Sequence, residues 1–420
     1  MRTGHSCAAV SSYDSPPENC FFGQSQSTNR VGEGWSKGVL LWRQKLGVRI
    51  LGRGFFNAYP AIAGLRENFI AKMKTNISAA ALDKMNRKTK PPGSLGVLEN
   101  VAVRLADLQQ TLEPKIAKKR ICVYAGTHGV TSEGVSAYPG EVTGQMVLNF
   151  LSGGAAINVL ARHGGIEIHV VDTGVDTDWP DILLDQPNFY FRSVRRGTSN
   201  FFREPAMNQI ECEQALEVGR EQVRYALDEG IDLLGIGEMG IGNTTAASAL
   251  LVALCGLRPD GAVGRGTGIG DAPLQRKIEV VASAFEKYFP LCCEPAGLYW
   301  LRVVGGFEIA AMTGTLLEAA KARLPVVVDG FIATASAAAA FSIDQKCREI
   351  CFFSHRSAEQ AHGKALEALK VEPLLDLKMR LGEGTGAALA MPIMEAAAKL
   401  LCEMATFDSA GVSGVIDGAR

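Results

Sequence analysis

Short apolar runs alternate with longer helical stretches along the middle of the chain. Five of these runs have the length and the β-branched or aromatic content of buried strands, and each ends in a polar or glycine-rich turn. They are residues 121–124, 166–171, 233–236, 326–328 and 350–353. The alternation predicts an α/β fold with a doubly wound, mostly parallel sheet. Ligands of such sheets bind outside the carboxyl ends of the strands, where the loops after these runs lie.

The first and last parts of this packed region have a helical pattern. Residues 77–112 follow a 3.6-residue period that is interrupted at 90–96, and Ser94 is placed to cap the second helix. We expect a helical segment at 72–118 to pack with a C-terminal helical segment at 391–420 as a small helical domain. The α/β domain then occupies residues 119–390.

Residues 1–71 differ in character from the rest. They contain few acidic residues, scattered Ser, Gly and Arg, and neither strand nor helix periodicity. The order of a secretory signal is missing. An organellar transit peptide and a start codon placed too early both fit this composition, and we favour the second because Met73 begins a sequence with a helical pattern. We expect the extension to be disordered or not native, and the protein to be cytoplasmic, or organellar if the extension is a transit peptide.

Composition excludes some classes of function. With 47% hydrophobic residues, 21% charged residues and a formal net charge of −1, the chain lacks the basic excess typical of nucleic-acid binding. A long uncharged stretch, residues 239–257, has only about twelve apolar residues after its glycine-rich start, too few to cross a bilayer. We therefore expect small molecules as partners, with no nucleic acid and no membrane.

The cysteines and histidines give no metal-site pattern. The 10 cysteines include no C-x-x-C pair, and the 6 histidines include no H-E-x-x-H spacing. His355 and His362 are spaced to share a helix face, but two histidines alone are more often polar or capping residues than ligands. We predict reduced thiols, no protein-bound metal and no cofactor.

Two glutamates stand between glycines, each just before a helix of small residues. Glu238 lies in Gly-Ile-Gly-Glu-Met-Gly at 235–240, and Glu383 lies in Gly-Glu-Gly-Thr-Gly at 382–386. Glycines remove the side chains that would screen a carboxylate, so a substrate can come close. One such glutamate alone is more simply a solvated loop residue. Two of them predict a site built from two loops.

Glycine-rich turns with nearby cations predict an anion site. The amides of Gly240, Gly242, Asn243 and Thr244 at a helix start are suited to a single phosphate. A second turn combines glycines with a cation, although by itself it fits a flexible surface loop equally well. It contains Arg265, Gly266, Thr267 and Gly268, and Lys277 follows it. Ser354, after the last apolar run, is either a further hydroxyl donor to the anion or a helix cap.

These residues belong to a set of short motifs that occur together in one known family. The chain resembles the nicotinate-nucleotide–dimethylbenzimidazole phosphoribosyltransferases of cobalamin lower-ligand synthesis, from about Leu82 to Gly411. The motifs that carry the resemblance are 90–96, 126–129, 153–158, 237–245, 328–331, 354–357 and 382–386. The region before residue 71 has no counterpart in it.

The resemblance implies a reaction and roles for the residues. The family moves the phosphoribosyl group of nicotinate mononucleotide onto 5,6-dimethylbenzimidazole, giving α-ribazole 5′-phosphate and nicotinate. By motif, Glu383 matches the family's general base and Lys277 an active-site lysine near the phosphate. Glu238 would stabilise the cationic ribosyl transition state or hold the ribose hydroxyls. The family also implies a homodimer.

The resemblance further implies a benzimidazole pocket lined by the loop at 136–146. An aromatic ring offers a flat face to the base, and methionines give adaptable apolar contact. The expected lining residues are Ser136, Tyr138, Gln145, Met146, Met239 and Leu381. The preferred lower-ligand base stays open, since adenine or phenolic compounds are used by some relatives.

Two other functions fit parts of the pattern. A nucleotide-binding sensor would use the same α/β scaffold, but it does not need a glutamate in each of two glycine loops. A dinucleotide-dependent oxidoreductase would use the G-x-G-x-x-G match at 235–240. Against it, Glu238 occupies the phosphate cradle, and the acidic residue expected further on, Asp260, follows a proline in a loop.

Overall fold

One parallel sheet organises the part of the chain that the structure describes. The structure is a computed structural model and describes residues 76–266, 268–292 and 296–413. Within these residues, seven strands pair in the order β3-β2-β1-β4-β5-β6-β7, and every pairing is parallel. The strands are β1 Lys119–Gly126, β2 Ile166–Gly174, β3 Phe189–Phe191, β4 Leu233–Met239, β5 Val326–Val328, β6 Cys351–His355 and β7 Pro373–Leu375.

Helices connect the strands and flank the sheet. Those before β4 are α1 Asn76–Asn86, α2 Val97–Leu108, α3 Val142–Leu151, α4 Ala156–Gly164, α5 Asp181–Leu184 and α6 Gln209–Asp228. Those between β4 and β6 are α7 Asn243–Cys255, α8 Pro259–Ala262, α9 Asp271–Tyr288, α10 Ala296–Val304, α11 Phe307–Ala322, α12 Phe331–Ile343 and α13 Cys347–Ile350. The remaining ones are α14 His362–Leu369, α15 Thr385–Glu403 and α16 Phe407–Ala410, and short 3₁₀ turns cover Gly129–Glu133 and Phe289–Leu291.

The two faces of the sheet are covered by different helices. On one face, α11 and α12 pack over the strands and α6 packs on α11, and the Tyr124 hydroxyl on β1 meets Thr315 Oγ1 on α11 at 2.6 Å. On the other face, α4 and α15 pack over the strands, and α2 packs on α15. Because both faces are buried, the strands are apolar almost throughout. The expected doubly wound parallel fold is confirmed.

The central strands were predicted from sequence and the edge strands were not. All five predicted runs lie in β1, β2, β4, β5 and β6, except that Ile350 ends helix α13. The strands β3 and β7 have three residues each. They lie at the edges of the sheet and are too short to show periodicity.

The helices at the two ends of the described chain pack together. Helix α2 contacts both α1 and α15, and α15 also lies on the sheet. The predicted boundary at 119 coincides with the start of β1, while the boundary at 391 falls inside α15. Residues 1–75, and with them the expectations for the extension and Met73, lie outside the described residues.

The cap of α2 differs from the prediction. Gly96 takes the N-cap position, so the assignment of Ser94 as the cap is wrong. Instead, the carboxylate of Glu99 accepts hydrogen bonds from the amides of Gly93 and Leu95 at 3.2 and 3.0 Å. Glu99, in the first turn of α2, therefore supplies hydrogen-bond acceptors for the amides of the loop that precedes the helix.

Two apolar stretches have the length and composition of membrane spans. They are residues 142–164 and 385–403 of the searched, described part of the chain. The first is two helices separated by a turn, and α15 is largely covered by the sheet, α2 and α4. Core helices of soluble proteins pass the same test, so these stretches are weak signals for a membrane.

Candidate active site

The topology places the candidate residues at one edge of the sheet. The strand order changes direction between β1 and β4. From β1 the chain adds β2 and β3 on one side of the sheet, and from β4 it adds β5, β6 and β7 on the other side. The carboxyl ends at such a switch point flank a crevice in which doubly wound proteins bind ligands. Glu238 is the sixth residue of β4 and pairs in register with Tyr124 of β1.

The two glycine loops that carry the glutamates touch each other. A Cβ added to Gly237 would lie 2.5 Å from the backbone nitrogen of Gly384, and one added to Gly382 would lie 2.3 Å from Glu238 Oε1. Real Cβ atoms do not approach backbone atoms so closely, so position 237 needs glycine, and the φ of 88° at Gly382 favours glycine there as well. The structure therefore brings Glu238 next to the loop of Glu383, as the two-loop prediction requires.

The backbone around Glu383 is unusual. Gly382, Glu383 and Gly384 have φ of 88°, 62° and 85°, so a glutamate adopts a left-handed conformation between two glycines that adopt it freely. The loop is held by Asp329, which follows β5 and accepts hydrogen bonds from the amides of Gly384 and Ala387 at 3.1 and 3.0 Å. Asp329 thereby caps α15 and fixes the direction of Glu383.

Both glutamates have perturbed acidity. Burial raises the pKa of Glu383 to about 7, and the neighbouring carboxyl of Asp329 adds to the effect. Burial also raises the pKa of Glu238 to about 8, followed by repulsion from Asp329, Glu308 and Glu383. The Asn243 side-chain amide donates to Glu238 and opposes that rise. Glu383 Oε2 is buried and has no hydrogen-bond partner among the described residues.

The turn at the start of α7 is the predicted phosphate cradle. Gly242 has a φ of 94° and precedes the helix, which starts at Asn243. The amide of Asn243 donates to the carbonyl of Gly240 at 3.0 Å, so this amide is used by the turn. The assignment of a phosphate to the amides of this turn stays a prediction. Asn243 instead acts through its side chain, which contacts Glu238.

Lys277 joins this turn to the second glycine loop. Its ammonium group is buried and donates to Thr244 Oγ1 at 2.8 Å and to the carbonyl of Gly264 at 3.3 Å. Burial lowers the pKa of Lys277 to about 8, and Glu359 opposes that shift. Arg380, from the Glu383 loop, donates to the carbonyl of Gly266 at 2.9 Å.

The other residues of the second glycine loop are more exposed. Arg265 is exposed and pairs with Asp271, and Gly268 is exposed as well. Thr267 lies outside the described residues. A Cβ added to Gly266 would lie 3.1 Å from Thr244 Oγ1 and 3.6 Å from Lys277 Nζ, so Gly266 contacts the Lys277 site.

The predicted base-pocket residues vary in burial. Met239 ends β4 and is buried, Tyr138 and Leu381 are more than half exposed, and Gln145 is exposed. Ser136 and Met146 are half-buried. The amide of Ile241 donates to Thr143 Oγ1 at 3.1 Å, which ties α3, the helix after the 136–141 loop, to the turn after Met239. The grouping of these residues into one pocket stays a prediction.

Ser354 and His355 occupy the end of β6. The Ser354 hydroxyl is buried and donates to the carbonyl of Asp329. A Cβ added to Gly386 would lie 2.0 Å from His355 Nδ1, so α15 starts directly against this pair. The expectation that His355 shares a helix face with His362 is wrong, because His355 is in a strand and His362 begins α14.

Several site residues were not singled out from sequence. Asp329 follows β5, and His128 follows β1 and contacts Glu308 of α11, with His128 Nε2 and Glu308 Oε1 2.6 Å apart. Asp329 and His128 lie within the motifs 328–331 and 126–129, and each lies just beyond the carboxyl end of a strand. That position was the available signal. Glu308 gave no such signal in the sequence, because it lies in an apolar helix.

A comparison with known families identifies one that spans most of the chain. A family model described as phosphoribosyltransferase, DBI_PRT, matches residues 70–412. The chain belongs to this family. The match covers both glutamate loops, the start of α7, Lys277 and the terminal helices α1, α2 and α15, so the DBI_PRT fold accounts for nearly all of the described chain.

Individual DBI_PRT relatives are similar over almost their full length. A nicotinate-nucleotide–dimethylbenzimidazole phosphoribosyltransferase of Chlorobium chlorochromatii is 51% identical over 330 residues, 79% of this chain and 92% of the relative. One of Geobacter sp. strain M21 is 47% identical over 352 residues, 83% of this chain and 99% of the relative. The crystal structure of CobT from Thermus thermophilus has 49% identity and a TM-score of 0.77, covering 81% of this chain and all of that one.

Proposed function

We propose that this protein transfers the phosphoribosyl group of nicotinate mononucleotide to 5,6-dimethylbenzimidazole, giving α-ribazole 5′-phosphate and nicotinate. It is thus a transferase of cobalamin biosynthesis. Relatives covered by this chain over nine-tenths or more of their length carry that name. The observation that carries the proposal is the meeting of Glu238 and Glu383 beside Lys277 and the turn before α7.

The reaction needs a general base and no general acid. A nitrogen lone pair of the benzimidazole attacks the anomeric carbon of the ribose. The bond from that carbon to the pyridinium nitrogen breaks, and its electron pair stays with the departing nicotinate, whose ring becomes neutral. The new bond leaves positive charge on the benzimidazole, and removal of the proton on its second nitrogen discharges it.

Glu383 is suited to remove that proton. A general base works best when its pKa lies near the working pH, and the pKa of Glu383 is raised to about 7. Its left-handed backbone and the Asp329 cap hold the carboxylate in one direction, while Oε2 has no partner among the described residues. The proton of the benzimidazole nitrogen therefore passes to Glu383.

Glu238 is suited to a cation. The mutual repulsion of Glu238, Asp329 and Glu383 favours a positively charged group beside them, and both the pyridinium ring and the ribosyl transition state are cationic. Glu238 is fixed by Asn243 and by contact with Gly382. We assign it to charge stabilisation or to the ribose hydroxyls.

The start of α7 offers a place for the phosphate. The start of α7 presents backbone amides and the positive end of the helix dipole, and the Lys277 ammonium lies 2.8 Å from Thr244 Oγ1. We assign the 5′-phosphate to Gly240, Gly242 and Thr244 with Lys277, and the benzimidazole to the loop before α3.

Four further proposals rest on the family and on composition. We propose a homodimer in the cytoplasm, with no membrane partner and with residues 1–71 dispensable for catalysis. Light scattering at assay concentration tests the dimer: an active protein that is monomeric throughout would contradict it.

The deciding experiment is direct. The full chain is incubated with nicotinate mononucleotide and 5,6-dimethylbenzimidazole, and chromatography follows equimolar formation of α-ribazole phosphate and nicotinate. Melting temperature is measured in parallel with nicotinate mononucleotide and with NAD, since a ligand of the native state raises it. Stabilisation by NAD alone, with no transfer product, would refute the proposal in favour of a dinucleotide enzyme.

A further inference from the structure

The histidine of the 126–129 motif forms a buried pair that the proposed chemistry does not use. His128 and Glu308 are 1% and 0% exposed, and His128 Nε2 lies 2.6 Å from Glu308 Oε1. The other polar atoms of the pair, His128 Nδ1 and Glu308 Oε2, are buried without a hydrogen-bond partner among the described residues. Leaving such atoms unpaired costs stability, so the pair is not explained as a stabilising contact.

Glycines from different segments leave room for the pair. A Cβ on Gly306 would lie 2.3 Å from His128 Cε1 and 2.6 Å from Glu308 Oε2, and one on Gly126 would lie 2.9 Å from Glu308 Oε2. Apolar residues of the same volume would fill this space at least as stably. What the hydrogen bond adds is a fixed direction for the imidazole ring.

The ring directed in this way packs against the phosphate turn. A Cβ on Gly240 would lie 3.3 Å from His128 Nε2, and one on Gly242 would lie 3.4 Å from His128 Cβ. These glycines bracket Ile241 and lead directly into α7. The charge of Glu308 also reaches the reacting cluster, because it acts on Glu238.

We infer that His128 and Glu308 are a positioning pair that holds the 240–242 turn in the geometry that binds the substrate phosphate. The inference rests on the proposed function, since it assigns the phosphate to this turn. Neither residue is assigned to the reacting atoms. Displacing the turn therefore weakens binding of nicotinate mononucleotide most. The proposed benzimidazole site is affected less, because it meets the turn through the hydrogen bond from the Ile241 amide to Thr143 Oγ1 and not through the phosphate amides.

The test compares three variants of the full chain. His128→Phe removes the hydrogen bond and keeps the ring volume, and His128→Gln restores a donor near the position of Nε2. Glu308→Gln keeps the shape and removes the charge. The matched control is His169→Gln, since His169 is a buried histidine on β2 of the same sheet that meets Gln222 of α6 at 3.4 Å, outside the proposed site.

We expect His128→Phe to raise KM for nicotinate mononucleotide roughly 10- to 100-fold, and KM for dimethylbenzimidazole by a smaller factor of about 2 to 5. His128→Gln should recover most of this loss, and His169→Gln should change neither KM. Equal rises in both KM values, or a rise that His128→Gln does not recover, would overturn the inference. If His128→Phe fails to fold, the Gln variants decide.

A second readout separates positioning from a merely structural role. The groups that act on Glu238 are the carboxyls of Asp329, Glu308 and Glu383 and the neutral amide of Asn243. Because the charge of Glu308 raises the pKa of Glu238, Glu308→Gln should lower it. Carboxyl ¹³C NMR titration of glutamate-labelled protein, assigned with Glu238→Gln, measures this shift. An unchanged titration would contradict the contact between the pair and the site. A wild-type protein without turnover would instead refute the proposed function, whatever these variants show.

Discussion

Gly237 on strand β4 lies directly against Gly384 at the start of helix α15: a Cβ at 237 would be 2.5 Å from the Gly384 nitrogen. This backbone contact joins the two loops that carry Glu238 and Glu383. If the loops were further apart, Glu238 and Glu383 could not both contact the same substrate.

Gly237→Ala should therefore damage catalysis more than its size suggests. The new methyl group must push the loops apart, and a displacement of about 1 Å in a catalytic site can lower the rate by about 10². Steady-state kcat/KM measures the loss. Gly363→Ala is the matched control, because its Cβ would meet only the end of the flexible Arg356 side chain at 3.4 Å. Equal activity of the two variants would show that the contact is not needed.

Replacing the proposed base should slow the reaction without preventing binding. Glu383→Gln keeps the shape of the side chain but cannot accept the benzimidazole proton. We expect kcat to fall by roughly 10² to 10⁴ while calorimetry still detects both substrates. Glu403→Gln, at the exposed far end of α15, is the control. Near-normal turnover of a folded Glu383→Gln protein would exclude the general-base role and point to Glu238.

The raised pKa of Glu383 predicts a pH dependence of kcat/KM. Glu383 must be ionised to act as a base, and its pKa is raised to about 7. The value of kcat/KM should therefore fall as the pH decreases below about 7, and this limb should be absent from the residual activity of Glu383→Gln. A wild-type profile that stays flat down to pH 5 would mean that a group of ordinary carboxyl acidity, or none, acts as the base.

Substitution of Lys277 should weaken binding of one substrate much more than binding of the other. Only nicotinate mononucleotide carries a phosphate, so Lys277→Met should weaken its binding roughly 10- to 100-fold, and charge reversal to Glu should weaken it further. Binding of dimethylbenzimidazole should change little in calorimetric titrations. Lys287→Met, at an exposed position on the same helix α9, serves as control. Parallel losses for both substrates would contradict the phosphate assignment.

The buried carboxylates should lower stability as the pH rises. The pKa of Glu238 is about 8 in the folded protein and near 4.5 for an unperturbed glutamate. Its raised value favours the folded state fully below pH 4.5, and that contribution is lost between pH 4.5 and 8. Glu238→Gln, which cannot ionise, should melt at a higher temperature than wild type at pH 8, by roughly 1–1.5 °C for each kcal/mol gained in a chain of this size. The difference should shrink at pH 5.5, and a constant or reversed difference would argue against a buried, strained carboxyl.

Local signals in the sequence were sufficient for the central sheet and for the two glutamates. Strand length and apolar content marked β1, β2, β4, β5 and β6, because these strands are buried on both faces. The edge strands β3 and β7 were missed because their three residues derive their structure from one neighbouring strand. Ser94 was misassigned as the cap of α2 because Glu99, from inside the helix, accepts the hydrogen bonds of the amides in the preceding loop.

The sequence by itself determined which residues carry chemistry: a glutamate between glycines is a local feature, and glycine spacing and charge can be identified in a short window. The tertiary structure decided how that chemistry is tuned. Desolvation and repulsion from Asp329 raise the pKa of Glu383, and these depend on loops more than 50 residues apart in the chain meeting at one sheet edge. The pairing of His128 with Glu308 across 180 residues is of the same kind. No window along the chain contains such contacts, because they exist only once the parallel sheet has brought its carboxyl ends together.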